Sequence, residues 1–253
     1  MKLKKDRIDR IMVLQGICES RNIAQRLVMA GEVSVDGQLV YKPSDQYPED
    51  CAIILANQPK YVSRGGLKLE KALAVFEEVE VEGKVCADVG ASTGGFTDCL
   101  LQNGARVVYA IDVGYGQLHQ SIREHKDVIV MERVNIKKVD TLPEEIDLVA
   151  IDVSFISLSR VFPIIKNWNK EKLMRVIALI KPQFEVGKKV AAAGKGVIHH
   201  EKDRQKAIDA VIDSAEHDGF INLGIIESPI QGPKGNIEYL LYLAYNPKEL
   251  EGG

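Results

Sequence analysis

The sequence predicts an α/β protein, a largely parallel sheet covered on both faces, with a small α+β module ahead of it. Three observations carry that expectation. From Lys84 onward, short β-rich apolar runs alternate with segments of helical periodicity, the pattern of strands joined by crossover helices. A glycine-rich turn, Gly90-Ala-Ser-Thr-Gly-Gly95, follows the first of these runs, where an open α/β sheet binds ligands. Residues 1 to 60 follow a different pattern, two short helices and then short strands.

In the N-terminal module, Ile8, Ile11 and Leu14, and then Ile23, Leu27 and Met29, fall at helical spacings, predicting helices over 6–15 and 20–30. Ser20 is the expected cap of the second helix and Gly31 its stop. Val33 to Val40 reads as a hairpin turned at Asp36-Gly37, and residues 51–55 as a further strand. The expected divisions are a module over 1–60, a linker over 61–66 (Tyr61 to Gly66) and a larger domain over 67–253. Strands are expected near 85–89, 107–112, 128–131, 147–151, 175–180, 222–227 and 237–244. Helices are expected at 67–78, 95–103, 116–124, 157–167 and 201–218. The periodicity of the last strand, Ile237 to Ala244, does not settle its direction.

At 253 residues, 45% of them hydrophobic, the chain is large enough to bury a core. No stretch approaches the roughly 18 apolar residues of a membrane span, and Met1-Lys-Leu-Lys-Lys-Asp6 lacks the apolar run of a signal peptide, so the cytoplasm is the expected compartment. Cys18, Cys51, Cys86 and Cys99 lie far apart and are read as reduced core thiols rather than a zinc site or disulfide framework. The net charge of −3 conceals an uneven distribution. Residues 1 to 26 carry Lys2, Lys4, Lys5, Arg7, Arg10, Arg21 and Arg26 against three acids, a surplus that suits phosphates, although composition alone favours a solvated helix face.

The glycine-rich turn is followed by an acid at the end of the next strand: Asp112 lies 24 residues after Asp88, where a carboxylate can accept hydrogen bonds from ribose hydroxyls. Such a layout holds a nucleoside, and a dinucleotide is the competing ligand. The spacing Asp88-x-Gly90-x-x-x-Gly94-Gly95-Phe96 contains no Gly-x-Gly. Its leading acid would repel a pyrophosphate and suit the positively charged end of S-adenosylmethionine. Gly90, Ser92, Thr93, Gly94, Gly95 and Phe96 are the loop's candidate cofactor contacts, with Asn135 and Asp152 at later strand ends on the same rim.

Lys68, Asp152, Lys181 and Glu238 fall in segments expected to converge there. A ribose hydroxyl is a poor nucleophile until a base takes its proton or a cation stabilises the forming alkoxide, and a lysine can do either. Taken singly, each of the four reads as an exposed ion-pair partner, the more common fate of Lys and Glu.

The runs Asp88-Val-Gly-Ala-Ser-Thr-Gly-Gly-Phe-Thr97, Asp112-Val-Gly-Tyr-Gly-Gln-Leu118, Asp152-Val-Ser-Phe-Ile-Ser-Leu158, Lys181-Pro-Gln-Phe-Glu-Val-Gly187 and Gly232-Pro-Lys-Gly-Asn-Ile-Glu-Tyr239, together and in order, resemble the TlyA family. That family comprises ribosomal RNA 2′-O-methyltransferases, often labelled haemolysins. The resemblance covers almost the whole chain and implies an S4 RNA-binding domain at the N-terminus. It also implies a Rossmann-like, seven-stranded, FtsJ-like methyltransferase domain using S-adenosylmethionine. It maps a catalytic Lys-Asp-Lys-Glu tetrad onto Lys68, Asp152, Lys181 and Glu238, and implies ribosomal RNA or ribosomal subunits as partner. Lys4, Lys5, Arg7, Arg10, Arg21 and Arg26 are then the expected RNA contacts. Family members modify cytidine ribose of the large subunit, and those with a C-terminal extension also modify the small one. Because this chain stops soon after its last strand, the large subunit is the expected substrate. The competing readings are a nucleotide-dependent oxidoreductase and a non-catalytic RNA-binding or haemolysin-like protein.

Other residues are given ordinary roles. His199 and His200 lack a second His or Cys cluster, so no metal site is expected and a flexible loop near the RNA is the reading. Trp168 is expected to pack a helix end, and Phe96 and Tyr115 flank the expected pocket without a further assigned role.

Overall fold

The computed structural model describes residues 4–56, 59–187 and 194–250. The chain divides into two compact units, Met1–Pro59 and Lys60–Gly253. In the first unit β1 (Lys5–Arg7) leads into α1 (Ile8–Leu14), followed by α2 (Arg21–Met29), β2 (Val33–Val35), β3 (Gln38–Val40), β4 (Gln46–Pro48) and β5 (Ile53–Leu55). β2 pairs antiparallel with both β3 and β5, and β1 pairs antiparallel with β4. The β2–β3 turn lies at Asp36-Gly37, with φ of 50° and 81°, the left-handed pair that a two-residue hairpin requires.

The buried stripe of this unit is Ile8, Ile11 and Met12 from α1 and Ala24 and Val28 from α2. Leu14 and Met29, expected on the inner faces, are exposed: each is the last residue of its short helix, beyond the stripe that the i, i+3, i+4 positions define. Ser20 occupies the cap position of α2 with extended backbone, but its side chain makes no capping bond. Its carbonyl instead accepts from the amides of Ile23 and Ala24. β1 and β4 were not anticipated: Lys5-Asp-Arg7 and Gln46-Tyr-Pro48 lack the apolar β-branched residues that marked β2 and β5.

The second unit is built on a seven-stranded sheet. Its strands are β6 (Val85–Val89), β7 (Val107–Ile111), β8 (Val128–Met131), β9 (Leu148–Ile151), β10 (Met174–Ile180), β11 (Phe220–Glu227) and β12 (Tyr239–Tyr245), in the order β11-β12-β10-β9-β6-β7-β8. β8, β7, β6, β9 and β10 are parallel, and β12 runs antiparallel to both of its neighbours, which supplies the direction the sequence left open. Every residue of β6, β7 and β9 is buried, as strands covered on both faces must be.

Alternate residues feed two cores. Ala87, Tyr109, Ile151 and Val176 meet Phe162 and Ile165 of α6 (Phe162–Ile165) and Val211 of α8 (Glu201–His217). Cys86, Val108, Ala150 and Ile177 meet Leu69 and Ala72 of α3 (Gly65–Val75) and Phe96 and Leu100 of α4 (Gly95–Gln102). All four cysteines are free and buried, as expected.

Three segments depart from expectation. Residues 61–66, expected as a linker, belong to the second unit: Tyr61 is buried against Leu69 and Ala72, and Gly65 opens α3. The helix expected at 116–124 is only the turn α5 (Gln120–Arg123). That expected at 157–167 is broken into a 3₁₀ turn, α6 and a second 3₁₀ turn, with Pro163 near the start of α6, where its missing amide prevents a continuous helix. Between β10 and α8 lies α7 (Pro182–Glu185), a single turn.

Candidate functional site

The parallel strands β6, β7, β9 and β10 end at Val89, Ile111, Ile151 and Ile180, so Asp112, Asp152 and Lys181 each stand one residue beyond a carboxyl end, and Asp88 one residue before. β6 lies between β7 and β9, so the chain leaves it in one direction and later returns on the other side, opening a crevice above its end. Two cavities of about 540 and 440 Å³ fill that crevice and share Gly90, Ser92, Asp152 and Ser154. Gly90 is required where they meet: with φ of 89°, a Cβ there would lie 2.5 Å from the Asp152 carbonyl oxygen.

Asp88 forms the floor of the first cavity and is wholly buried. Its Oδ2 accepts hydrogen bonds from the backbone amide (2.8 Å) and hydroxyl (2.6 Å) of Thr97. Its Oδ1, equally buried, has no hydrogen-bond partner among the described residues. Burial pushes this carboxyl up to about 7, the Thr97 bonds oppose that shift, and nearby Asp152 and Asp112 add to it. The result is a carboxyl group with one oxygen held and the other unsatisfied.

Two ion pairs lie at this cavity, one half-buried and one buried. Lys181 Nζ lies 2.5 Å from Asp152 Oδ1 and donates to Ser154 Oγ at 2.8 Å. Lys68 Nζ lies 2.6 Å from Glu238 Oε2. Lys68, Asp152 and Lys181 line the cavity, whereas Glu238 sits behind Lys68, wholly buried, with its Oε1 lacking a hydrogen-bond partner among the described residues. The four residues that the family resemblance groups are therefore two pairs at one site.

The second cavity is lined by Asp112 and Asn135. Asp112 is fixed by the amides of Ser92 (2.8 Å, to Oδ2) and Gly114 (2.6 Å, to Oδ1). Each oxygen still has a lone pair for a further donor. Asn135 caps the short turn Ile136–Lys138 by accepting from the Lys137 amide at 3.0 Å. Of the other expected loop contacts, Ser92, Thr93 and Gly95 border the first cavity. Gly94 borders neither and packs toward Leu118 and Ile122. Phe96 presents an edge to the first cavity but is 3% exposed and belongs to the core.

Several lining residues carried no signal in the sequence. Ser63 and Arg64 line the first cavity from the segment expected to be a linker. Ser154 and Phe155 stand two and three residues after Asp152, the more conspicuous acid of that motif. Phe155 is 91% exposed at a φ of 64°, beside Phe184 with ring centroids 5.0 Å apart. Tyr115 is exposed under the Arg133 guanidinium, 3.9 Å from its ring centroid. Trp168 is buried and donates to the Val139 carbonyl at 2.9 Å, the packing role expected of it. Among the described residues no cluster of three metal-ligating side chains occurs, and no helix is long and apolar enough to cross a membrane.

In the first unit, the expected RNA contacts prove largely engaged. Arg7 and Arg21 both reach the buried Asp9, each through a 3.0 Å contact to Oδ2, and Gln25 donates to the same oxygen at 2.7 Å. Burial alone would raise this carboxyl, but the bonds from Arg7, Gln25 and Arg21 hold it well below the usual carboxylate range. Lys4 pairs with Glu49 at 2.9 Å and Arg10 with Asp6 at 3.6 Å, while Lys5 and Arg26 are exposed.

With this geometry in place, comparison with known proteins is specific. The FtsJ-like methyltransferase family matches residues 61–245 and the S4 domain residues 6–50. The chain is 40% identical, over 95% of its length and 90% of the relative's, to the 16S/23S rRNA (cytidine-2'-O)-methyltransferase TlyA of Mycobacterium tuberculosis. It is 36% identical, over 90% of its length and 95% of the relative's, to the 23S rRNA (cytidine-2'-O)-methyltransferase TlyA of Campylobacter jejuni. A solved hemolysin structure from Streptococcus thermophilus, 41% identical, superposes with a TM-score of 0.72, covering 96% of this chain and 90% of that one. The chain belongs to the FtsJ-like methyltransferase family, in its TlyA group, with an S4 domain ahead of the methyltransferase domain.

Proposed function

We propose that this chain methylates the ribose 2′-oxygen of a cytidine in ribosomal RNA, with S-adenosylmethionine as donor. The unit Met1–Pro59 docks the RNA and the unit Lys60–Gly253, whose Ser63 and Arg64 line the first cavity, carries the reaction. The observation that carries the reading is the meeting of the two cavities at Asp152 and Ser154, the residues that hold Lys181 Nζ.

The donor, when bound, supplies an electrophilic methyl group on a sulfonium. The second cavity suits its nucleoside: Asp112 accepts from the ribose hydroxyls, and Asn135 faces the same space. The open Oδ1 of Asp88 suits the ammonium of its amino-acid end. The first cavity then receives the RNA ribose. Lys181, held by Asp152 and Ser154, orients the 2′-hydroxyl and stabilises negative charge on its oxygen. The hydroxyl proton passes to the Asp152 carboxylate of the Lys181–Asp152 pair as the oxygen takes the methyl that the donor would supply. Lys68, neutralised from behind by Glu238, holds the opposite wall. Aligning oxygen, methyl and sulfur contributes most of the rate. The large subunit is the proposed target, by analogy with the Campylobacter jejuni relative, whose name specifies 23S rRNA.

The test is transfer of labelled methyl to ribosomal subunits by the wild type and by Lys181→Ala. Loss of general acid–base assistance lowers kcat by about 10²- to 10⁴-fold, with S-adenosylmethionine affinity retained. Undiminished transfer by the variant overturns the role given to Lys181.

A further inference from the structure

Two turns of one kind lie against each other at the edge of the first cavity. Gly194-Lys195-Gly196-Val197 is closed by the Val197 amide donating to the Gly194 carbonyl at 2.9 Å. Pro233-Lys234-Gly235-Asn236 is closed by the Asn236 amide donating to the Pro233 carbonyl at 3.3 Å. The central residues all have positive φ: 50° and 85° for Lys195 and Gly196, 58° and 82° for Lys234 and Gly235. Asparagine or glycine is the ordinary occupant of the first central position, and a lysine there is strained. Here it occurs twice.

The buried side chain of Asn236 locks the turns together. Its Nδ2 donates to the Gly196 carbonyl at 2.9 Å and the Pro233 carbonyl at 3.0 Å, and its Oδ1 accepts from the Ile198 amide at 3.0 Å. Lys234 Nζ adds a bond to the Lys195 carbonyl at 3.3 Å. Both lysine side chains are exposed, and neither has a carboxylate partner among the described residues. Gly232 and Pro233, the limb that precedes Lys234, line the cavity. Two unneutralised cations are thus displayed on a rigid support at the cavity mouth. This contrasts with the first unit, where Lys4, Arg7, Arg10 and Arg21 are all paired with carboxylates.

We propose that this pair of Lys-Gly turns binds the phosphodiester of the RNA strand whose ribose enters the first cavity. The proposal rests on the reading of that cavity as a ribose site. A ribose offering its 2′-oxygen carries its own 3′-phosphate on the adjacent carbon, so the strand must bring negative charge past the mouth. Lys195 and Lys234 meet that charge and fix the register of the strand, while carrying no base information. The other anion within the same chemistry is the carboxylate of the methyl donor, and the test separates the two.

The experiment uses the full chain with both substitutions, Lys195→Asn and Lys234→Asn. Asparagine accepts positive φ, so the turns persist and Tm is held or raised. RNA affinity is measured with a ribosomal RNA fragment over a range of salt concentrations, and donor affinity by calorimetry with S-adenosylmethionine. The slope of log affinity against log salt falls in magnitude by about 0.7 for each phosphate that the protein no longer neutralises. KM for RNA rises severalfold while kcat and donor affinity stay unchanged, and Lys195→Arg with Lys234→Arg restores the slope. An unchanged slope overturns the site. Weakened donor affinity with the slope intact also overturns it, assigning the cations to the donor's carboxylate instead. Wild-type chain that binds RNA with the expected salt slope but leaves ribose unmethylated contradicts the reading of the cavity, an outcome distinct from an unmoved slope in an active enzyme.

Discussion

Asp9 in the S4 unit and Asp88 in the methyltransferase unit are both wholly buried, yet they occupy opposite electrostatic situations. Asp9 is surrounded by Arg7, Arg21 and Gln25, and its carboxyl is held well below the usual range. Asp88 has Thr97 on one oxygen and, among the described residues, no partner on the other, and burial lifts it to about 7. Burial therefore does not decide what a carboxylate is for; its unmet hydrogen-bonding capacity does. Asp9 ties α1 to α2 and spends its bonds within the S4 unit, while Asp88 keeps one oxygen unsatisfied, the one proposed for the donor's ammonium.

Asp88→Asn is the sharpest way to break the comparison. Losing a charged hydrogen bond to the donor's ammonium costs about 1.5–3 kcal/mol of binding, a 10- to 150-fold weaker dissociation constant by calorimetry. Folding stability is held or raised by the same change, because a buried charge is removed. Asp9→Asn has the reverse profile. It leaves donor affinity untouched and lowers unfolding stability by about 1–3 kcal/mol, read as a lower Tm for the S4 unit.

The smallest effect is on pH dependence, and its sign differs between the two. The carboxyl of Asp9 is depressed, so its stabilising contribution is complete above the ordinary aspartate pKa of about 3.9 and is lost only as pH falls toward the folded value. The carboxyl of Asp88 is raised to about 7, so its ionisation opposes folding progressively as pH climbs from about 3.9 to about 7. Its ionised form is also the one that binds a cation. Donor affinity should therefore weaken as pH drops below about 7, approaching tenfold per unit, and calorimetry on Asp88→Asn should lose that dependence. A pH-independent affinity in the wild type contradicts the role given to the open oxygen.

The two regions also differ in how far the sequence revealed them. The strand-and-helix alternation located all seven strands of the larger unit to within about two residues: β6, β7 and β9, buried on both faces, are continuous apolar runs, while β11 alternates buried and exposed residues along a strand rich in isoleucine. Asp88, Asp112 and Asp152 were legible as acids at strand ends. The pairing of Lys181 with Asp152 and of Lys68 with Glu238 was not, since 29 and 170 residues of chain separate the partners and only the family resemblance grouped them. Ser154 and Phe155 were hidden beside a more conspicuous acid. In the S4 unit the cations read as an undifferentiated basic surplus. That Arg7 and Arg21 converge on Asp9 depends on the packing of α1 against α2, which no local spacing encodes. The same limit hid the Lys-Gly turns: each is a lysine followed by glycine in the sequence, but their apposition through Asn236 bridges 40 residues.

The most direct test of the central claim is the identity of the methylated product. Ribosomal subunits incubated with the wild-type chain and S-adenosylmethionine, digested to nucleosides and analysed by mass spectrometry, should yield 2′-O-methylcytidine that is absent after incubation with Lys181→Ala. Methyl groups found only on bases, or none above background from a folded wild-type chain that binds the donor, would contradict it.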